Sequence, residues 1–320
     1  MTTHRSPIWR GMSAVVGKEL ADHLLSARMR VLEGLIVLTT IATLYGALQH
    51  IRATTAEDPF IFLRLFTLSN GPMPSFTVLL SFLIPLVAVG LGFDAVNGEH
   101  NRRTLSRLLS QPIYRDALLL GKFLAGLLAL TIGLVSLWLL LMGAGLLVLG
   151  VPPSGEEVAR ALLFLLAAIA YGGVWLAVAM LCSVIFRSPA TAALVALGLW
   201  LFMTILWPML TPVLVQGLLG SGVNLAPDQL AQQYNDWAGN LALLSPTQLF
   251  SDAGISLLSP STRSLGAVFV SQLQGALLGA PLPLSESMAL SWPQFSGLIA
   301  AVIVLFTLAY ISFQRQEIRA

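Results

Sequence analysis

Long blocks of apolar residues alternate with short polar breaks along the 320 residues of this chain. Residues 31–50 (VLEGLIVLTTIATLYGALQH) and 74–93 (PSFTVLLSFLIPLVAVGLGF) are each long enough to cross a bilayer core of about 30 Å as a helix. Pro85 should kink the second. A third apolar run, from about Ala117 to Gly150, amounts to roughly 50 Å of helix and should project beyond the membrane. Pro152 and Pro153 close it, and Ser154-Gly155-Glu156-Glu157 reads as the cap and acidic first turn of a fourth span over about 158–185. A tight Phe186-Arg187-Ser188-Pro189 connection leads to a fifth span from Ala190, whose last turns Pro208 and Pro212 should break. Residues 294–312 form the sixth.

Between these blocks the polar stretches have patterns of their own. In residues 8–30, Trp9, Met12, Val16, Leu20 and Leu24 recur at helical spacing, with Arg10, Lys18 and Asp22 mostly opposite and Glu19 and His23 at the border. This predicts a helix on the membrane surface before the chain turns inward. Glu33 should lie close enough to the cytoplasmic end to reach headgroups. Asp94 to Lys122 is the long polar interruption of the first two thirds. Within it Leu105, Leu108 and Leu109 share one helical face and Arg102, Arg103 and Arg107 another, so a short basic amphipathic helix is expected, ended by Pro112. Glu57-Asp58-Pro59 and Asn70-Gly71-Pro72 signal loops. Residues 217–293 mix polar and apolar positions, with two or three short extracytoplasmic helices expected; 264–281 is a poor seventh span because glutamines sit at its centre.

Composition agrees: 56% hydrophobic and 10% charged residues, with a mean hydropathy of +0.83, place the chain among integral membrane proteins rather than soluble domains, which carry about 25% charged residues. The formal charge of +2 gives no argument for nucleic acid, and where the charges sit matters more. With six spans and both termini cytoplasmic, thirteen of the seventeen Lys and Arg residues lie inside; Arg52, Arg64, Arg160 and Arg263 lie outside. The positive-inside rule supports this orientation. The fold class is therefore all-α and polytopic. Its parts are an interfacial helix in 1–30, spans one to five in 31–216, an extracytoplasmic segment 217–293, and the sixth span with a cytoplasmic tail in 294–320.

The chemistry expected from the chain is sparse. It has no HExxH, no GxxxxGK[ST] phosphate loop, four scattered histidines and one cysteine, Cys182, within an apolar run. No catalytic residue, metal site or cofactor is expected. The charges fall at predicted helix ends, with none near the middle of a span, which argues against an ion-coupled carrier. Any driven transport would draw its energy from another subunit.

Asp94-Ala95-Val96-Asn97-Gly98-Glu99, Arg103-Thr104-Leu105, Leu108-Leu109-Ser110-Gln111-Pro112, Arg115, and Leu120-Gly121-Lys122 resemble the permeases of type-2 ABC exporters. Lys18-Glu19-Leu20 and Leu244-Ser245-Pro246-Thr247-Gln248-Leu249-Phe250 also match, and the group concerned with multicopper-enzyme and nitrous-oxide-reductase maturation is the most similar. The resemblance covers nearly the whole chain. It implies a permease of the inner membrane, working with a separate ATPase dimer that holds ATP and Mg, and with a second permease copy. It also implies a cytoplasmic coupling helix at about 98–112. On that basis Gly98, Glu99, Arg102, Arg103, Leu105, Arg107, Leu108 and Leu109 would contact the ATPase, Gly98 allowing the tight turn. Lys18, Glu19 and Leu20 would belong to the interfacial helix, and Pro85, Pro208 and Pro212 would serve as kinks or gates. The segment between spans five and six is long for this group, which suggests an extracytoplasmic partner. A membrane scaffold that only transmits motion and a secondary carrier are the alternative readings.

Overall fold

A computed structural model describes residues 8–26, scattered positions between 29 and 49, and residues 60–69, 74–101, 115–219, 227–261 and 281–315. Every described position between 29 and 49 is helical, on the stretch expected to form the first span. The other elements are α1 (Ile8–Leu25), α2 (Ile61–Thr67), α3 (Phe76–Gly92), α4 (Asn97–Asn101), α5 (Arg115–Leu149), α6 (Gly155–Ile185) and α7 (Pro189–Leu201). A π turn (Phe202–Leu206) follows, then α8 (Trp207–Leu219), α9 (Pro227–Ala242), α10 (Pro246–Leu258) and α11 (Leu284–Arg315). No strand occurs among the described residues.

Five stretches are long and apolar enough to cross a membrane: Phe76–Glu99, Asp116–Leu149, Gly155–Ile185, Pro189–Leu219 and Leu284–Arg315. They are the expected spans two to six. Local signals set their ends. Gly150 takes φ +68°, the left-handed conformation that closes a helix at little cost only for glycine, and stops α5. Ser154 and Glu157 form a reciprocal capping box at the start of α6, as the sequence predicts. Ser188 caps α7, with Pro189 in its first turn.

Helix α6 is the hub. It packs on α3, α5, α7, α10 and α11, and small residues let these helices approach closely. A Cβ on Gly172 would fall 2.7 Å from Leu130 Cδ1, and one on Gly92 would fall 2.9 Å from Ala179 Cβ. The outer end is held by Arg160, whose side chain is fully buried (0% exposed). Its Nε and Nη2 donate to Glu156 at 3.0 and 2.8 Å, its Nη1 to the Leu257 carbonyl and Ser287 Oγ at 3.1 and 3.0 Å, and its Nη2 also to the Leu282 carbonyl. Next to it, Glu157 Oε1 accepts the Phe62 N–H at 2.9 Å. The first turns of α6 thus collect α2, the end of α10 and the start of α11.

Three features depart from the sequence reading. Residues 61–67 form a short helix where loop signals dominate, because Phe62, Leu63, Leu65 and Phe66 are buried and Glu157 anchors its start. Helix α11 begins ten residues before the expected sixth span and carries Pro293 within it; Ser287 and Ser291 are buried, and Ser287 bonds Arg160. The fifth span is not broken at its prolines. The Trp207 N–H bonds the Phe202 carbonyl across a wider π turn, which relieves the clash Pro208 would cause in a regular α-helix, and the helix continues through Pro212 to Leu219.

Of the two or three short extracytoplasmic helices expected after span five, α9 and α10 are among the described residues, and their corner, with a 108° bend, packs into the bundle rather than standing apart from it. The Leu241 carbonyl accepts from Trp207 Nε1 at 2.9 Å, and Ser245 Oγ donates to the Met203 carbonyl at 3.1 Å, so the corner sits on the π turn. Thr247 Oγ1 lies 2.9 Å from Thr204 Oγ1 and 3.1 Å from Tyr171 Oη, at the middle of α6. Tyr171 stacks on Phe250, 4.7 Å between centroids. Polar backbone at a corner is tolerated inside an apolar bundle when such partners satisfy it.

Arg160→Ala leaves the Leu257 and Leu282 carbonyls and Ser287 without their donor, and should destabilise the purified protein by about 3 kcal/mol. Thermal unfolding in detergent checks this, and limited proteolysis should show the α10–α11 connection cut first.

Candidate functional site

Two of the residues singled out by sequence, Glu19 and Glu99, come together where α1, α4 and α5 meet. Helix α1 lies against the first turns of α5, with Val15 over Gly121, where a Cβ would fall 2.8 Å from Val15 Cγ1. That close approach brings Glu19 to Lys122. Lys122 Nζ sits 3.1 Å from Glu19 Oε1 and 2.7 Å from Glu99 Oε1, with its side chain only 6% exposed. Lys18 Nζ adds a second cation 3.1 Å from Glu19 and 3.2 Å from Asp22. A polar cavity of about 170 Å³ opens beside the group, lined also by His23 and Asp94. Leu20 packs against the apolar core.

On its other side, α4 is fixed to the turn between α6 and α7. Ser183 Oγ accepts the N–H groups of Val96 and Asn97 at 3.0 and 3.3 Å. Asn97 Nδ2 donates to the Phe186 carbonyl at 3.1 Å, and Asn101 Nδ2 to that of Arg187 at 3.2 Å. The elbow at 94–101 is thus clamped between α1 with α5 and the α6–α7 turn. Near it, Gln314 Nε2 donates to Asp116 Oδ1, tying the end of α11 to the start of α5.

The electrostatics favour the closed cluster. Burial pushes the Glu19 carboxyl up, but Lys122 and then Lys18 outweigh it and hold the group below the usual carboxylate range. Burial pulls the Lys18 ammonium down, and Glu19 with Asp22 overcomes this and raises it. Removing one member of a buried pair strands its partner, a loss of about 3–5 kcal/mol in well-buried cases. Among the described residues no group of His, Cys, Asp and Glu is arranged to hold a metal ion. What the arrangement does well is transmit displacement: a shift of α4 pulls on α1 and α5 through one ammonium.

Of the sequence candidates, Glu19 and Glu99 are brought together, and Lys18 and Leu20 flank them. Gly98 lies within α4 without a left-handed backbone, which among the described residues belongs to Gly150 alone, and a Cβ there would touch Asp94 Cβ at an ordinary 3.4 Å. The tight-turn role expected of it is therefore not what the backbone requires. Arg102, Arg103, Leu105, Arg107, Leu108 and Leu109 lie outside the described residues. Pro85 is buried inside an unbroken α3, while Pro208 and Pro212 follow the π turn. Lys122 and Asn97 belong to the family motif without a role of their own in it, and Ser183 carries no signal, since hydrogen bonds 86–89 residues apart leave no periodicity.

Glu33 lies on the stretch that follows α1. Met29, four residues earlier, reaches Gly133 with its Cε 3.9 Å from where a Cβ would sit. Gly133 is eleven residues beyond Lys122 along α5, about 16 Å. Glu33 lines a cavity with Ile84, Val87, Leu134 and Leu137. Its side chain is half-buried there.

The sequence pattern of the family described as "ABC-2 family transporter protein" matches residues 13–318. The chain is 34% identical over 192 residues to the "probable ABC transporter permease protein NosY" of Pseudomonas aeruginosa, across 58% of this chain and 63% of that protein. It is 30% identical over 257 residues to the protein of the same description from Stutzerimonas stutzeri, across 78% of this chain and 82% of that one. The match thus spans less than two thirds of the first relative's length.

The two pKa shifts set a pH window for the cluster. Glu19, held low, contributes fully above its ordinary value of 4.5 and loses that contribution as pH falls through its depressed value. Lys18, held high, contributes fully below its ordinary 10.5 and loses it as pH rises through its raised value. The distance between spin labels placed on α1 and α5 should therefore show α1 docked from about pH 5 to 10, with release on the acid side. Glu19→Gln should abolish the acid limb and weaken the alkaline one, since it leaves Asp22 as the carboxylate that holds Lys18 up.

Proposed function

We propose, since the chain belongs to the ABC-2 family of transporter proteins, that it works as the permease half of a pump driven by a separate ATPase through the clamped elbow at 94–101. It is a multi-pass permease of the cytoplasmic membrane, with five or six long apolar helices. Family membership and the lack of a phosphate loop support a partner that binds ATP and Mg and hydrolyses the nucleotide. In this reading two permease copies and two ATPases assemble, and both termini face the cytoplasm. The ATPase is contacted, in this reading, by Gly98, Glu99, Arg102, Arg103, Leu105, Arg107, Leu108 and Leu109.

The observation that carries the reading is the Glu19–Lys122–Glu99 cluster. An element pushed by an ATPase must be joined to something that moves, or the push is dissipated. Here the segment leading into the basic stretch is ion-paired to α5, a helix of 35 residues that runs about 52 Å, and to α1. Motion entering at Glu99 would therefore reach the far side through α5 and through α6, the hub it packs against. In this reading the π turn, Pro208, Pro212 and the α9–α10 corner, which bonds to the middle of α6, would form the outer gate. An extracytoplasmic partner on residues 217–293 fits the length of that segment.

In a tagged permease co-expressed with the ATPase encoded beside it, Lys122→Met should leave insertion intact and reduce the permease-dependent change in ATP turnover at least about fivefold. Lys122→Arg should restore most of it. Arg103→Glu with Arg107→Glu should weaken co-purification of the ATPase. A chain that never brings down an ATPase, or a Lys122→Met complex with wild-type turnover, overturns the reading.

A further inference from the structure

The cavity beside Glu33 has about 220 Å³ of space and lies between α3, α5 and the side chains of Met29, Glu33 and Val37. Its walls are Leu, Ile, Val and Met side chains, with Leu80, Ile84, Val87, Leu130 and Leu137 facing in. Two residues on its lining carry side-chain oxygen. Ser136 is already engaged, its Oγ donating to the Ile132 carbonyl at 2.8 Å. The other is Glu33, which makes no hydrogen bond or ion pair with a described residue and has no Lys, Arg or His beside it on the described lining. A carboxylate facing an apolar chamber inside a membrane bundle is expensive unless a positive charge joins it.

The far wall adds direction. Met29, buried, lines this chamber and also the polar cavity of Lys122 and Glu19, so one flexible thioether separates an apolar pocket from the cytoplasmic ion cluster. A molecule with a charged end and an alkyl body could pass the polar cavity, displace Met29 and leave its charge at Glu33. A neutral apolar molecule would gain nothing from the carboxylate. An anion would be repelled by it.

We propose that this chamber binds an amphiphilic organic cation, its ammonium at Glu33 and its alkyl chain along α3 and α5. The ammonium could belong to a free alkylamine or to the headgroup of an aminolipid; the recognition is the same. The site is a property of this chain alone and does not depend on the ATPase coupling.

Octyltrimethylammonium, radiolabelled, is the probe, with the full chain purified in an uncharged maltoside detergent that supplies no amine. Saturable binding at one site per chain is expected, with octanol a poor competitor. Glu33→Gln should weaken binding about tenfold or more while thermal unfolding stays at the wild-type temperature. Gly133→Leu, which fills the chamber and keeps the carboxylate, should also abolish binding. If added phosphatidylethanolamine competes, the natural ligand is a lipid amine; if it does not, a free amine is the ligand, and the site stands in both cases. Absence of saturable binding to the wild type, equal affinity in Glu33→Gln, or octanol competing as well as the cation would each overturn the proposal. Because no ATPase is present, such a failure leaves the coupling mechanism untouched.

Discussion

A charge can enter this bundle only when its hydrogen-bonding capacity is met, and that constraint locates both ends of the structure. At the outer end the five N–H donors of Arg160 all find acceptors, drawn from α6 itself, from the last turn of α10 and from both sides of the α11 start. At the cytoplasmic end the ammonium of Lys122 takes carboxylates from α1 and α4. Solvent would satisfy either cation equally well in an unfolded chain. In the folded one the acceptors come from elements distant in sequence, so satisfying the cation and assembling the layer are the same event.

Between those two ionic layers the protein relies on close packing. Lipid tails offer no hydrophobic drive for one helix to join another, so association depends on small residues and on side chains that interlock. Helix α6 supplies both, with Gly172 and Gly173 admitting Leu130, Leu127 and Val302, and with Tyr171 and Phe164 stacked about Phe250. The hydroxyls of Thr204, Thr247 and Tyr171 form a chain across the interior, which lets a corner of non-helical backbone sit where water is scarce. Rigid walls with polar seams are a suitable build for a part that must shift as a body and not deform.

The sequence was most legible where the physics is local. The cap at Ser154, the tight connection at 186–189 and the long apolar runs depend on neighbours a few residues apart, and the spans matched them. It was least legible where partners are remote. Nothing near Glu157 indicates that its carboxylate anchors residues 61–67, 95 positions away, and nothing near Pro293 indicates that a helix survives it. The same holds within the cytoplasmic cluster. Glu19 and Glu99 were readable as motif members, but that a single lysine joins them is visible only once α1 is seen lying on Gly121.

The π turn between α7 and α8 holds one residue more than a regular α-helical turn would. Removing that surplus residue would rotate everything beyond it by about 100° around the axis, turning the Trp207 indole away from the Leu241 carbonyl it now supports. The seat of the α9–α10 hairpin is therefore set by angular phase rather than by side-chain identity. A single-codon deletion there would preserve every hydrophobic residue of the span and still unseat the hairpin.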